Sequence, residues 1–490
     1  MIFDKLKELT KDTAIYGIST MVGRFLTFLL VPFYTHVFSE AEFGIYTNFY
    51  SFIMIFNIFF IYGMDAAYLK YASVPKIGDE KDNFSTPYLS VFGAGIALSL
   101  LVLVFKNLVY TGFDLPSASL NLIYYVIPIM FVDAICVIPF LKLRLQRKAK
   151  RFAAFKLINI IVNVVLNLFL ILKLKWGIEA VFVSNLAASL VSFVLTFPMV
   201  LRNIRLRINT VLLKRLLKFG IPYLPAALAS MLVQGIDKPI LSHLTDLSTV
   251  GIYGANYKLG IFMMLFVSMF QYAWQPFFLQ NAEEKNAKEL FSKVLTYFTI
   301  AASLILIVVS LFISDIVKVS IFGHTIIQKD FWGGLNIVPV ILFGYMFNGL
   351  YVIFTAGIFI EEKSIYVPFI TGLGAAVNIG VNFALIPSMG MMGAAIATLA
   401  AYFAMALSLY IVTQKFYKIE YELLKLSKIF SAILAAGTVY YYLYYTGQLL
   451  FIYKVLLLVV FSLFIYLFVF DKKEIDFLRT KLAAIKQNRS

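Results

Sequence analysis

The chain has 490 residues, of which 61% are hydrophobic and only 14% are charged, and its mean hydropathy is +0.87. A water-soluble core cannot bury so much apolar surface, so the composition excludes a soluble globular protein and indicates lipid as the solvent. In a soluble domain the formal net charge of +16 would indicate nucleic acid. Here the Lys and Arg residues lie between apolar runs, where membrane topology accounts for them, so we expect no nucleic-acid partner.

The chain opens with a charged, helix-prone stretch that predicts a cytoplasmic amphipathic N-terminus over residues 1–12. The apolar run after it is too long for a signal-peptide h-region and lacks a small-residue cleavage site, so we expect it to remain as a span. Further apolar runs of about 20 residues follow. They predict about fourteen transmembrane helices, over residues 14–36, 43–68, 87–105, 120–140, 153–172, 178–200, 218–241, 249–272, 294–314, 334–356, 366–386, 391–412, 429–446 and 450–470.

These spans predict an all-α membrane protein with two six-helix lobes. The predicted units are the N-lobe (13–201, spans 1–6), a cytoplasmic linker (202–217), the C-lobe (218–413, spans 7–12), a second cytoplasmic linker (414–428), spans 13 and 14 (429–470) and a basic cytoplasmic tail (471–490). Basic residues concentrate at 142–151 and 202–218. By the positive-inside rule, this places those loops and both termini in the cytoplasm.

The two lobes also resemble each other in sequence. Residues 31–46 (VPFYTHVFSEAEFGIY) align without a gap to residues 238–253 (KPILSHLTDLSTVGIY), an offset of 207. Asn163, Asn167 and GIEAVFVSNLAA at 177–188 match Asn378, Asn382 and GMMGAAIATLAA at 390–401. Because both matches fall at equivalent spans, they indicate a duplication in parallel orientation. Two lobes related in this way enclose a central cleft that can open alternately to either side, which is typical of secondary transporters.

A few ionisable residues fall deep inside the predicted spans. A charge at the bilayer centre costs roughly 2.5–3.5 kcal/mol, so such residues tend to face a cavity or a partner. Arg24 and Lys258 are the deepest, and we expect them to line the cleft and contact phosphate. Lys238 is a further candidate phosphate contact, and Asp237 a candidate counter-charge for Lys258. Asp237 and Asp133 are candidates for coupling transport to H⁺ or Na⁺, although Asp133 is close enough to the basic loop to pair with it instead.

Amides inside spans offer hydrogen bonds to sugar hydroxyls, but helix packing uses the same groups. The candidate sugar contacts are Asn48, Asn163, Gln234, Asn256 and Gln271. Cys136 is the only cysteine, so a disulfide framework is excluded and no thiolate metal site is expected. Metal-ligand spacings, phosphate-binding glycine loops and nucleophile elbows do not occur in the sequence. We therefore expect neither an enzyme nor a bound cofactor, and we interpret His36, His243 and His324 as structural.

The opening KDTAIYGISTMVGRFLTFLLVPFYTHVFSEAEFGIY resembles bacterial polysaccharide exporters of the Wzx type. The Asp-Lys pair at 237–238 with LSHLTDLSTVGIYGANYKLG is similar to the family's seventh and eighth spans, and NIGVNFALIPSMGMMGAAIAT at 378–398 to its eleventh and twelfth. The resemblance implies the multidrug/oligosaccharidyl-lipid/polysaccharide (MOP) exporter fold. It also implies a cationic cavity to which Arg24 and Lys258 contribute, together with the pair formed by Asp237 and Lys238.

The family resemblance further implies a substrate and a location. Relatives of the Wzx type move undecaprenyl-pyrophosphate-linked oligosaccharides across the bacterial inner membrane to the periplasmic leaflet, for O-antigen, capsule or exopolysaccharide synthesis. The implied partners are the lipid-linked oligosaccharide, membrane lipids and the polymerase and assembly proteins of the polysaccharide. Two alternatives stay open from the sequence: a drug/cation antiporter of the same superfamily, and an integral-membrane glycan polymerase or ligase.

Overall fold

The computed structural model describes residues 17, 21–73, 77–321, 323–471 and 474. Predictions for residues 1–12 and for most of the tail at 471–490 lie outside these residues. In the described part, thirteen helices are long and apolar enough to cross a membrane. A shorter apolar helix, α1 (Met21–Val37), stands where the first span is predicted. These helices confirm the all-α membrane fold with about fourteen spans.

The N-lobe consists of α1 and the helices that follow it up to residue 203. They are α2 (Glu40–Ile61), α3 (Met64–Ser73), α4 (Glu80–Val104), α5 (Lys106–Gly112), α6 (Ile123–Leu145), α7 (Ala149–Leu172) and α8 (Glu179–Asn203), with a 3₁₀ turn at Ser117–Leu122. Helix α2 begins at a capping box in which the Ser39 side chain accepts from the Glu42 backbone N–H and the Glu42 carboxylate accepts from Ser39. Both otherwise unpaired backbone donors are thereby satisfied.

The segment between the lobes differs from the prediction of a plain linker over 202–217. It contains α9 (Thr210–Gly220), followed by a 3₁₀ turn at Ile221–Tyr223 and α10 (Leu224–Gly235). Helix α9 begins where the Asn209 side chain accepts from the Leu212 backbone N–H. Leu212 and Leu216 are buried, whereas Lys214 and Arg215 are exposed. This is the pattern of an amphipathic helix lying along a surface, which a reading based on charge alone takes for a loop.

The C-lobe and the two last helices follow in chain order. They are α11 (Asp237–Leu244), α12 (Leu247–Tyr257), α13 (Ile261–Asn281), α14 (Ala287–Lys318), α15 (Val338–Ile360), α16 (Tyr366–Met389), α17 (Met391–Phe416), α18 (Leu423–Tyr445) and α19 (Phe451–Phe468). Two 3₁₀ turns lie at Lys258–Gly260 and Lys329–Ile337. Strands β1 (Ser320–Ile321) and β2 (His324–Thr325) pair antiparallel, with Ser320 opposite Thr325. Buried Lys454 fastens α19 to α14 through Asp315, at 2.6 Å.

The helix bundle has two ends with different chemistry. The capped end holds the helix starts at Ser39 and Asp246, which are equivalent at the offset of 207 and both act as N-caps. The basic end holds Lys142, in the last turn of α6, and Arg205, in the loop that follows α8. At the capped end, buried residues of the N-lobe such as Tyr34 and Tyr46 belong to the same hydrophobic core as the C-lobe. The rest of α2 packs with α3, α4 and α6 in a separate N-lobe core. The two lobes share a hydrophobic core toward the capped end.

Candidate functional site: the cleft between the lobes

The lobes meet at the capped end through two equivalent glycines. A Cβ atom at Gly44 would lie 2.0 Å from the carbonyl oxygen of Leu247, and one at Gly251 would lie 1.9 Å from that of Glu40. Only a residue without a side chain allows backbones to approach so closely. Gly44 and Gly251 are related by the offset of 207, as are Glu40 and Leu247. The internal symmetry axis therefore passes through this crossing, and the cleft is closed at the capped end.

Arg24 of α1 reaches across the cleft to the C-lobe. Its guanidinium donates to the Ser268 hydroxyl of α13 at 3.1 Å, and the side chain is exposed. Arg24 and Ser268 line a cavity of about 160 Å³ together with Met21, Gln271, Tyr272 and Gln275. A guanidinium has five N–H donors, so donors remain for a bidentate contact to a phosphate group. The structure thus places Arg24 beside this cavity between α1 and α13, and its contact with phosphate stays a prediction.

Lys258 follows α12 and also contacts the opposite lobe. Its ammonium donates to the Tyr46 hydroxyl of α2 at 2.8 Å and lies 4.2 Å from the centroid of the same ring. No salt bridge to Lys258 occurs in the described part of the chain, so Asp237 is not the counter-charge that the sequence suggested. The side chain is half-buried. The partners of Lys258 are thus a phenol hydroxyl and an aromatic face, and no carboxylate among the described residues neutralises it.

Tyr345 of α15 connects the surroundings of the two cations. The space beside Gly260, two residues after Lys258, is bounded by the Tyr345 ring, because a Cβ atom at Gly260 would lie 3.2 Å from it. Arg24 interacts electrostatically with the same tyrosine. Tyr345 therefore lies near the turn that holds Lys258 and within electrostatic range of Arg24, although the two cations come from different lobes.

Asp237 and Lys238 form a buried pair inside the C-lobe. The Lys238 ammonium lies 2.8 Å from the Asp237 carboxylate and donates to the Gln234 backbone carbonyl at 2.9 Å. Tyr253 donates its hydroxyl to the same carboxylate at 2.5 Å. Asp237 is fully buried and Lys238 is 8% exposed. Lys238 is thus neutralised by Asp237 in this structure, and its expected role as a phosphate contact stays a prediction.

The asparagine pairs of the repeat adopt the same geometry in both lobes. Asn167 donates to the Asn163 side-chain oxygen at 3.1 Å, and Asn382 donates to that of Asn378 at 2.9 Å. In the N-lobe, Asn167 also accepts from the Tyr34 hydroxyl at 2.9 Å. In the C-lobe, the position equivalent to Tyr34 is Leu241, and the Asn382 oxygen and Asn378 amide nitrogen lack a protein partner. The C-lobe thus contains unsatisfied buried polar groups beside α11 and α17.

Asp133 lies in the N-lobe, away from the pair in the C-lobe. Its carboxylate accepts from the Ser189 hydroxyl of α8 at 2.6 Å. The described residues offer it no salt bridge, so the pairing with the basic loop does not occur. The Lys142 ammonium, in the last turn of α6, lies 3.1 Å from the Glu80 carboxylate. Lys156 of α7 acts on the same carboxylate electrostatically. A carboxylate without a salt bridge can exchange a proton or bind a cation.

The candidate sugar contacts divide into two groups. Gln271 and Gln234 are exposed, and Gln271 lines the Arg24 cavity. Asn163 is half-buried and bonded to Asn167. Asn48 and Asn256 are fully buried and donate to the carbonyls of Phe113 at 3.1 Å and Phe331 at 2.7 Å. These last two amides hold helices to neighbouring loops, so a sugar cannot reach them here.

The sequence reading missed the aromatic partners of the cations. Tyr46 accepts a hydrogen bond from Lys258, and Tyr345 interacts electrostatically with Arg24. Gln275 lines the Arg24 cavity together with Gln271. The spacing of Gln271 and Gln275, one helical turn apart, was a usable signal. The role of Tyr46 was not predictable from the sequence, because nothing distinguishes one tyrosine among 30.

The basic end fixes the segment between the lobes to the N-lobe. Arg205 contacts the carboxylates of Asp79 at 2.9 Å and Asp82 at 3.0 Å. A hydrogen bond from the Asp82 backbone, assisted by Arg205, lowers the pKa of the Asp79 carboxyl from its ordinary value. These groups belong to the surface of the bundle and not to the cleft.

A family model described as a polysaccharide biosynthesis protein matches residues 9–282, more than half of the 490 residues. The chain belongs to the polysaccharide biosynthesis protein family. The matched segment includes the N-lobe and the first helices of the C-lobe, and therefore both Arg24 and Lys258. A comparison with curated protein sequences gives no match.

Solved structures with the same fold cover both lobes. The lipid II flippase MurJ in an inward closed conformation is similar with a TM-score of 0.72 and 17% identity, over 92% of this chain and 99% of that chain. An inward-facing multidrug resistance MATE family transporter of the MOP superfamily gives 0.64 and 12%, over 82% and 97%. An outward-facing MATE family transporter gives 0.57 and 14%, over 83% and 95%. These matches confirm the expected MOP fold for this member of the polysaccharide biosynthesis family.

Proposed function

We propose that the protein moves an undecaprenyl-pyrophosphate-linked oligosaccharide from the cytoplasmic to the periplasmic leaflet of a bacterial inner membrane, as a Wzx-type exporter of surface polysaccharide units. The observation that carries the proposal is an exposed arginine inside a membrane-embedded cleft, held by a neutral serine. Arg24 supplies two-pronged donors for the pyrophosphate, and Lys258 supplies a point charge. Gln271 and Gln275 offer amides to sugar hydroxyls beside it. The prenyl tail stays in lipid.

Transport proceeds by alternate opening of the two ends. The glycine crossing closes the capped end, which the positive-inside rule assigns to the periplasm. The substrate therefore enters from the basic end, and release requires the crossing at Gly44 and Gly251 to separate. Of the two candidate coupling carboxylates for H⁺ or Na⁺, we favour Asp133, because Asp237 already has Lys238 as its counter-charge. Both termini lie in the cytoplasm in this topology, as the charge distribution predicts.

Two rival functions make different demands on the same architecture. A drug/cation antiporter shares the fold, but a cation substrate would be repelled by Arg24 and Lys258, neither of which has a carboxylate partner among the described residues. A polymerase or ligase would need acid/base groups on a large outer loop. The described loop between α14 and α15 is a short hairpin followed by a 3₁₀ turn. The features of the cleft therefore favour an anionic headgroup.

The test is leaflet exchange in liposomes. The purified protein is reconstituted, and the movement of a fluorescent prenyl-pyrophosphate sugar is followed for wild type, Arg24→Ala, Lys258→Ala and the double variant. We expect at least a tenfold loss of rate in each single variant. Lys428→Ala is the matched control, since Lys428 is a half-buried cation of α18 that donates to the Phe468 backbone carbonyl at 2.9 Å, outside both lobes. Full-rate exchange in both single variants, or transport of a monovalent organic cation instead, would contradict the proposal.

A further inference from the structure

Tyr46 belongs to the closed end of the cleft. It lies two residues after Gly44, and its ring is 6% exposed. It packs edge-on against Phe43 and Tyr34, at centroid distances of 5.3 and 5.6 Å, and lies 4.6 Å from Tyr50. The side chain is therefore rigidly held by the N-lobe, directly beside the point where the two lobes cross.

Lys258 approaches this group from the other lobe. It stands eleven residues after Leu247, about 16 Å along the helical path at 1.5 Å per residue. Tyr46 stands six residues after Glu40, about 9 Å from the same end. The lysine side chain therefore extends from the middle of the cleft toward the capped end. Its ammonium links α12 to α2 through the Tyr46 hydroxyl.

This contact is weaker than the one that a phosphate would offer. The contact between the Lys258 ammonium and the Tyr46 hydroxyl involves one charged group. A contact with phosphate joins two opposite charges, which adds a Coulomb attraction. The face of the Tyr46 ring adds a cation–π attraction, with the Lys258 ammonium 4.2 Å from the ring centroid. An anion that binds the Lys258 ammonium therefore competes with the Tyr46 hydroxyl, which links the two lobes near the capped end.

We propose that Tyr46 is a positioning residue that couples phosphate binding to the opening of the capped end. In the empty cleft it holds Lys258 and helps to keep the lobes together. A phosphate-bearing headgroup binds the Lys258 ammonium in place of the Tyr46 hydroxyl. The lobes then lose one of their contacts beside the glycine crossing. A ligand shifts a conformational equilibrium only by its differential affinity for the two states, and this exchange of partners supplies the difference. The inference rests on the proposed function, because it requires an anionic headgroup.

The test measures the separation of the lobes directly. Spin labels are placed at Ala41→Cys and Ser248→Cys, equivalent positions on α2 and α12, in a Cys136→Ala background. Pulsed dipolar spectroscopy then follows the distance between them in detergent during titration with undecaprenyl pyrophosphate, and in a second arm with inorganic pyrophosphate. In the wild type we expect one short distance without ligand and a longer one at saturation. A response to inorganic pyrophosphate would assign recognition to the phosphates, and a response to the lipid alone would overturn the exchange at Lys258.

Three variants separate the coupling from a structural role. Tyr46→Phe keeps the ring and removes the hydroxyl, so the half-saturating pyrophosphate concentration should fall at least threefold. Lys258→Met should populate the longer distance without ligand and abolish the response. Tyr50→Phe is the control, because the Tyr50 hydroxyl accepts from Asn185 and not from Lys258, and it should behave as wild type.

Two outcomes distinguish this inference from the proposed function. An unchanged distance at saturating ligand in a wild type that still exchanges lipid-linked sugar would overturn the coupling and leave the function standing. A Tyr46→Phe variant with wild-type ligand dependence would also overturn the coupling. Opening by pyrophosphate in a protein that exchanges no lipid-linked sugar would support the coupling and overturn the function.

Discussion

The two lobes have one scaffold and different chemistry. At the offset of 207, the C-lobe residues Asp237 and Lys238 stand where the N-lobe has Leu30 and Val31, and Lys258 stands where it has Ser51. Leu30 and Val31 are buried in an apolar core, whereas the Asp-Lys pair is buried with a hydrogen-bonded tyrosine. Duplication therefore preserved the crossing glycines and helix caps, while at these three positions the charges are found in the second copy.

The asparagine pairs show the same divergence on a smaller scale. Tyr34 satisfies Asn167 in the N-lobe, and its equivalent Leu241 leaves the C-lobe pair with unpaired groups. A buried polar group without a partner costs free energy. The comparison indicates that the N-lobe copy is a satisfied structural unit and that the C-lobe copy keeps polar capacity beside its charges.

The largest expected effect comes from replacing Asp237 alone by leucine, the residue at the equivalent N-lobe position Leu30. Asp237→Leu leaves the Lys238 ammonium buried and unpaired, and should lower the free energy of unfolding by about 3–5 kcal/mol. The measurement is thermal unfolding in detergent, followed by tryptophan fluorescence.

The double variant Asp237→Leu/Lys238→Val is the matched control for that experiment. Replacing a buried ion pair by apolar residues is often neutral or stabilising, so the double variant should recover most of the lost stability. A single variant as stable as wild type would mean that the pair is not buried as described.

The glycine crossing should respond to a single added side chain. Gly44→Val would place Cβ against the Leu247 carbonyl, and should destabilise the closed capped end by about 1–3 kcal/mol, the usual cost of overpacking. The distance between labels at residues 41 and 248 measures the effect. Gly372→Val is the control, since a Cβ there meets nothing within 4 Å. Equal distances in the two variants would refute the close crossing.

The smallest expected effect comes from Tyr34→Phe, which makes the asparagine pair of the N-lobe resemble that of the C-lobe. Tyr34→Phe removes one hydroxyl and leaves the Asn167 oxygen unpaired, as the Asn382 oxygen already is. We expect a loss of about 1 kcal/mol in unfolding free energy, the net value of a hydrogen bond. Tyr50→Phe serves as a reference for a half-buried hydroxyl. A loss confined to Tyr50→Phe would show that the asparagine pair does not depend on Tyr34.

The sequence predicts the fold and part of the site for a physical reason. A charge in an apolar run is visible because lipid penalises it, and this identified Arg24 and Lys258. The partner of each charge depends on tertiary packing, so the pairing of Asp237 with Lys238 instead of Lys258 was not predictable. Tyr46 carries no charge and lies in an aromatic-rich helix. Helix α9 was missed because its basic face resembles a loop.

The proposed transport cycle requires a cleft that is sealed at the capped end and reachable from the basic end. In a Cys136→Ala background, Gln271→Cys places a thiol beside Arg24, and a membrane-impermeant maleimide is applied from either side of oriented vesicles without substrate. We predict labelling from the side of the basic end alone, and protection by a prenyl-pyrophosphate sugar. Labelling from the capped end, or from neither side, would contradict the account.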